Sequence, residues 1–197
     1  MNVYILFAHP SQKSYSKLVL DAFTQGLSEA GHHFEIGDLY QMNFLSEMNE
    51  AQYQREVGMD PTVPVPEDVK HEQDKINRAD ALVFIYPLWW SDCPAKLKGW
   101  FDRVLTYGYA YLYGENDQHI TQIQIQKVLV ICSAGHTEKH LEETGIAESM
   151  RKIMLTDRLL GVGVKKAEMV ILGGIMPHDD TYRHPNLLKA YQLGKNF

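Results

Sequence analysis

The sequence predicts an α/β fold in which five parallel strands form one sheet covered by helices on both faces. Three observations carry this. Short apolar runs of strand length alternate along the chain with stretches of helical periodicity. One of these runs, Ala81-Leu82-Val83-Phe84-Ile85-Tyr86, is apolar throughout, the mark of a strand buried on both faces rather than one. Neither an internal repeat nor a low-complexity segment interrupts the alternation, and 197 residues suffice for one domain with a sizeable core but are short for two. We therefore expect residues 1–197 to form a single domain.

The elements follow in order. Asn2 to Ala8 is a central-strand candidate, and His9 to Ser16 is a polar loop. A helix is expected from about Ser14 to Ala30, with Leu18, Val19, Ala22, Phe23 and Leu27 on one side and Gly31 as its stop. His33 to Leu39 reads as the second strand and Asn49 to Val57 as a short helix. The proline-rich GMDPTVPVP of residues 58–66 is a loop within the domain, because the strand and helix patterns resume on both sides of it. Glu67 to Arg78 is a helix by the spacing of Val69, Ile76 and Ala79, and it hands over to the strand at Ala81. Pro87, which lacks an N–H and has a fixed φ, ends that strand. After Pro94, suited to a first helical turn, Leu97, Phe101, Val104 and Leu105 recur with Trp100 beside them. Lys96, Lys98, Asp102 and Arg103 fill most of the other positions, giving an amphipathic helix. Val128 to Cys132 is the fourth strand, Lys139 to Leu160 is largely helical, and Ala167 to Leu172 is the fifth strand, closed by Gly173-Gly174. Asn186 to Leu193 forms the last helix.

Bulk properties narrow the function classes. A formal net charge of −6 argues against a general nucleic-acid binder, which needs a basic face. Two cysteines, Cys93 and Cys132, are too few for a disulfide framework and fit a reducing compartment. The apolar segment Val3 to Ala8 is too short for a signal h-region, and no run approaches the roughly 20 apolar residues of a membrane span. A cytoplasmic protein without membrane insertion is expected.

Chemistry is expected in the loops at the carboxyl ends of the strands. In the first, His9, Ser11, Ser14 and Ser16 stand at a helix N-terminus, where unpaired N–H groups and the dipole attract anions; the same residues also suit a plain N-cap beside a surface histidine. In the second, Trp89 and Trp90 follow the strand end, as core anchors or as a flat wall for a ligand. Cys93, ahead of Pro94 at a helix N-terminus, is either a reactive thiol or a small buried residue. His136 and His140 are four apart, but the order His-x-Glu-x-His is not the metalloprotease pattern and no third ligand is spaced nearby, so we assign no metal. Tyr107, Tyr109, Tyr111 and Tyr113 alternate, as in a half-exposed strand or arm with one aromatic face.

Three segments carry a family likeness: Pro87-Leu88-Trp89-Trp90, then PAKLKGWFDRV of residues 94–104, then YAYLY of residues 109–113. Together they resemble the NAD(P)H:quinone oxidoreductase family, the DT-diaphorase-like flavoproteins with a flavodoxin-like, three-layer fold. The resemblance implies a flavin, FAD with FMN as the alternative, and NAD(P)H as co-substrate. It places His9, Ser14, Tyr15 and Ser16 on the flavin phosphates, although Ser16 stands where many relatives have asparagine. It places Pro87, Leu88, Trp89 and Trp90 on the flavin ring, with backbone donors toward its pyrimidine edge. Ser133 and Gly135, in Cys132-Ser133-Ala134-Gly135-His136, correspond to a Thr-Thr-Gly-Gly segment at the flavin edge. Some relatives have a tyrosine and a histidine that stabilise charge on the reduced flavin. Here His140 falls near the tyrosine, as the one weak catalytic candidate, while Ala147 takes the approximate place of the histidine. Tyr109, Tyr111 and Tyr113 match a Phe-Ala-Tyr segment that lines the quinone pocket of the partner subunit, so the resemblance implies a homodimer with active sites at its interface. The implied activity is hydride transfer from NAD(P)H to the flavin and on to a quinone or similar small flat acceptor, an azo or nitro compound included. A flavin-binding ancillary subunit of a potassium-efflux system and a flavodoxin-type electron carrier are the alternatives.

Overall fold

The computed structural model describes residues 1–176 and 180–197. Its first half runs β1 (Asn2–Phe7), α1 (Tyr15–Glu29), β2 (His33–Asp38), α2 (Glu50–Gly58), α3 (Glu67–Arg78), β3 (Ala81–Pro87) and α4 (Ala95–Val104). The second half runs β4 (Tyr111–Tyr113), β5 (His119–Thr121), β6 (Lys127–Ser133), α5 (Glu138–Glu143), α6 (Ile146–Arg151), β7 (Ala167–Leu172) and α7 (Arg183–Lys195). The main sheet has the order β2-β1-β3-β6-β7, with every pairing parallel. Each of the five strands lies where the apolar runs put it. Because the chain passes from β2 across β1 to reach β3, the connections diverge on either side of the β1–β3 pair. The carboxyl ends of those two strands therefore bound the crevice in which an open α/β sheet binds ligands.

Strand periodicity divides the core in two. Tyr4, Leu6, Leu82, Phe84, Tyr86, Val128 and Val130 face α3, α4 and α6, with Trp100 and Phe101 packed on them. Val3, Ile5, Phe7, Val83, Ile85, Leu129 and Ile131 face α1 and α7. Both sets are buried, so the central strands read as unbroken apolar runs. On the first side a polar cluster is sealed in: Glu72, fully buried, accepts from Tyr4 Oη at 2.6 Å, Trp100 Nε1 at 2.9 Å and Lys75 Nζ at 2.9 Å. On the second side α1 and α7 pack backbone against backbone. A Cβ at Gly26 would lie 2.2 Å from the Tyr191 carbonyl oxygen, and one at Gly194 would lie 2.0 Å from that of Phe23.

Four details depart from the periodicity reading. The helix expected over 139–160 breaks at Gly145, whose φ of 74° is the left-handed stop glycine favours, and resumes as α6 and then a widened π-helical segment, Lys152–Leu159. Leu18 lies just off the buried stripe of α1 and is exposed. Arg103 is buried rather than solvent-facing, because Asp68 of α3 grips its guanidinium at 2.5 and 2.9 Å and the Leu45 carbonyl accepts at 2.7 Å. The last helix is longer than its apolar pattern, Arg183–Lys195. Of the alternating tyrosines only Tyr111 and Tyr113 form a strand, β4, which pairs antiparallel to β5 in a separate two-stranded ribbon, while Tyr109 lies in the turn before it.

Candidate active site

Three loops meet over the carboxyl ends of β1, β3 and β6. The first leads into α1, whose N-cap Ser14 accepts the Lys17 N–H at 3.1 Å. The first-turn N–H groups of Tyr15 and Ser16 have no partner within the helix and lie where an anion would be held. His9 Nδ1 accepts the Ser11 N–H at 2.9 Å, which fixes the neutral tautomer with its proton on Nε2. Burial lowers the pKa of this ring below the usual histidine value, against the opposing pull of the Asp38 charge. The Tyr15 side chain turns away from the loop: its hydroxyl donates to the Arg183 carbonyl at 2.7 Å, and burial pushes its pKa up to about 12. Its backbone N–H is what remains for the cleft.

The second loop carries the aromatic wall. Leu88 N–H donates to the Ser133 carbonyl at 2.7 Å, extending the β3–β6 pairing that ends at Pro87 and Ser133. Trp89 and Asp92 then exchange both backbone hydrogen bonds, at 3.0 and 3.1 Å, around Trp90 and Ser91. Those two residues have φ of 50° and 64°, the conformation of a type I′ turn. Neither is glycine, and left-handed residues of this kind cost about 1–3 kcal/mol each. Trp90 is fully exposed, with a relative accessibility of 101%, while Trp89 is 41% exposed and its ring lies 5.8 Å from that of His9 in an edge-on arrangement. The first and second loops thus share one cleft.

The third loop follows β6. Ser133 is buried and its hydroxyl lies 2.9 Å from that of Ser16, which ties the first turn of α1 to the end of β6. Gly135 is exposed beside Met176, and His136 and His140 stack at 4.6 Å on the outer side of the loop. Among the described residues no group of histidine, cysteine and carboxylate side chains is arranged to hold a metal ion. Cys93 and Cys132 are both buried, and burial pushes each thiol up to about 12, so Cys93 is a packing residue at its turn and not an activated nucleophile.

The tyrosines divide. Tyr109 is anchored inside its own chain, its hydroxyl donating to the Gln73 carbonyl and Asn77 Oδ1 at 3.2 Å each, and burial raises its pKa well above the phenol range. Tyr111 and Tyr113 form an outward cluster with Tyr107 and His119, and Tyr113 is 47% exposed. A groove of about 330 Å³ also opens at the opposite, amino-terminal end of β1 and β2. Its cations Lys75 and Arg78 already face Glu35 at 3.7 Å each, which leaves the loops at the carboxyl ends as the candidate site. Two residues escaped the sequence reading: Asp92 and Arg158, whose guanidinium grips that carboxylate with two contacts of 3.0 Å. A turn-forming Ser-Asp pair after Trp90 was the only signal.

Residues 1–192 match a protein-family model described as having a flavodoxin-like fold. A solved NAD(P)H:quinone oxidoreductase from Methanothermobacter marburgensis superposes with a TM-score of 0.96 at 64% identity, covering 100% of this chain and 98% of that one. This chain belongs to the flavodoxin-like NAD(P)H:quinone oxidoreductase family. An uncharacterized NAD(P)H oxidoreductase of Haemophilus influenzae is 31% identical over 98% of this chain and 93% of its own length. NAD(P)H dehydrogenase [quinone] 1 of Rattus norvegicus is 34% identical over 89% and 70%. The chain spans less than two thirds of some other relatives, 59% of the Cavia porcellus NAD(P)H dehydrogenase [quinone] 1 among them. The family likeness carried by residues 87–113 extends over the chain.

Proposed function

We propose that this protein is a flavin-dependent NAD(P)H:quinone oxidoreductase whose flavin lies in the cleft over the carboxyl ends of β1, β3 and β6, lined by the His9 and Trp89 loops. The observation that carries the reading is the meeting of the loop that leads into the α1 N-terminus with a flat aromatic wall, the His9 and Trp89 rings 5.8 Å apart, at the point where the sheet connections diverge. These residues fit a flavin. The N–H groups of Tyr15 and Ser16 would hold its phosphate, with the Ser14 hydroxyl and the His9 Nε2–H as further donors. Trp89 would cover the apolar part of the ring, with Pro87, Leu88 and Trp90 completing the loop around it, and the backbone at Ser133 and Gly135 would meet its edge. Bound there, a flavin would supply the two-electron redox chemistry that links NAD(P)H to a quinone-like acceptor.

The chain's own part is to bind, orient and exclude water. His9, held neutral, donates one hydrogen bond without adding a charge. The Ser16–Ser133 pair keeps the first and third loops at a fixed separation. FAD is the cofactor the resemblance favours, with FMN the alternative. We also propose a cytoplasmic homodimer; among the described residues no helix is long and apolar enough to cross a membrane. Exposed Tyr113 beside Tyr111, and the exposed Tyr53, Val57 and Met59 on and just after α2, present an apolar face suited to a second copy. Arg55 joins these areas by donating to the Val63 and Tyr107 carbonyls at 2.8 and 3.2 Å.

The test is to purify the protein, record its visible absorption, identify the released cofactor by mass, and follow NAD(P)H oxidation with a soluble quinone. A yellow protein that consumes NAD(P)H rapidly in the presence of quinone is expected. A colourless protein that takes up neither FAD nor FMN overturns the reading, and a flavoprotein that barely turns over points to the ancillary or carrier role instead.

A further inference from the structure

Resting on that reading of the cleft, we propose that Asp92 and Arg158 are positioning residues, which hold the Trp89–Asp92 turn in its left-handed form and so set where the Trp89 wall stands. Arg158 belongs to the widened segment Lys152–Leu159, far from the cleft in sequence and outside every motif of the family likeness. Its two terminal guanidinium nitrogens, Nη1 and Nη2, donate to the two Asp92 oxygens at 3.0 Å each. The same guanidinium lies over the Phe101 ring of α4, 5.6 Å from its centroid, and Nη1 reaches Cys93 Sγ at 3.8 Å. Arg158 is thus seated on the helix that follows the turn while it grips the turn's last residue.

Asp92 is restrained from three directions. Its main chain pairs with Trp89, its Oδ1 accepts the Cys93 N–H at 2.7 Å, and both oxygens are taken by Arg158. A bidentate arginine fixes orientation as well as distance, which a single point contact does not. The restraint matters because Trp90 and Ser91 would otherwise favour negative φ, and a turn of the opposite twist splays its flanking residues. Once the turn relaxes, the Trp89 ring no longer stands beside His9. Strain of this kind persists only where the surroundings over-determine it, and the Arg158 grip is the long-range part of those surroundings.

The experiment uses the full chain labelled with 5-fluorotryptophan, so that Trp89, Trp90 and Trp100 each give one fluorine signal. In Arg158→Met the Trp89 and Trp90 signals should shift or split, while that of Trp100, buried in the core, stays in place. If the competent turn falls to about a tenth of the population, the apparent Kd for FMN or FAD, read by quenching of flavin fluorescence, rises about tenfold. Adding Ser91→Gly to Arg158→Met should bring the Kd back toward wild type, because glycine adopts the left-handed form freely. Because removing left-handed strain also raises fold stability, each Kd is read well below the melting temperature of its variant, where lost fold stability alone leaves the Kd unchanged. Should Arg158→Met fail to fold, Asp92→Asn gives the same readout. Acid titration of the wild type adds another, since protonating the carboxyl that faces Arg158 and Cys93 should move the two signals in the wild type and not in Asp92→Asn. Unchanged Trp89 and Trp90 signals with unchanged Kd in both variants overturn the proposal. Should the wild type bind no flavin, the cofactor reading fails, while the fluorine signals still decide the positioning role.

Discussion

Replacing Glu72 by methionine, which has similar bulk and no charge, should be among the most damaging single changes in the protein. Glu72 is fully buried and accepts from Tyr4, Trp100 and Lys75. Removing it strands two neutral donors and an ammonium on a residue only 7% exposed. Breaking a buried pair from one side costs about 3–5 kcal/mol. Each neutral donor left without a partner adds about 1–3 kcal/mol, but Glu35 stands 3.7 Å from Lys75 on the exposed side and offers it partial relief. We therefore expect the total at the bottom of the summed range, about 5 kcal/mol, a large part of the ~5–15 kcal/mol that holds a folded protein together. For a chain of this size that lowers Tm by about 10–15 °C. Tyr4→Phe, which removes one hydrogen bond and leaves the ion pair whole, should cost only about 1 kcal/mol. Calorimetry on the two variants gives the comparison. A Tm for Glu72→Met within about 3 °C of wild type, or equal losses for the two variants, would refute the reasoning that the Glu72–Lys75 contact contributes most to this cluster. Because Tyr4 lies on β1 and Trp100 on α4, the melted variant should lose cofactor in the same transition.

Further outcomes follow from the site and its supports. His9 has a folded-state pKa below its unfolded value, so between the two the unfolded chain binds more protons and stability rises with pH; below that window the stabilisation is lost. A proton-NMR titration should place the His9 midpoint under about 6.5, and the stability slope across that window should flatten in His9→Gln. With both thiols pushed up to about 12, native protein at pH 8 should resist iodoacetamide, and both cysteines should react once urea unfolds it. Gly26→Ala and Gly194→Ala force apart helices whose backbones touch, so each should destabilise by at least about 1–3 kcal/mol, read as a lower urea midpoint.

The sheet was legible because its central strands are apolar on both faces, a pattern helices seldom copy in runs so short. The start and stop of α1 were legible because Ser14 and Gly31 act locally, through their own caps. What escaped depends on partners distant in sequence. Arg103 reads as a surface charge until Asp68 is seen to cover it, and Arg158 has no visible purpose until Asp92 is brought to it across 66 residues of sequence. Gly26 looks like a weak point in a helix until Gly194 meets it. At the site, residue types located the loops, whereas the tautomer of His9, the inward commitment of the Tyr15 and Tyr109 side chains, and the left-handed turn at Trp90 required three-dimensional neighbours.

Tyr4 has a consequence for how β1 is threaded. Every other buried side chain of that strand is a plain hydrocarbon, so sliding it by one residue would merely trade one greasy surface for another. The phenol breaks this symmetry, since its oxygen finds Glu72 on the α3 side, while the α1 side meets it with an apolar core. One hydroxyl therefore works as a key, giving β1 a single way to sit beside β3 while the chain is still collapsing.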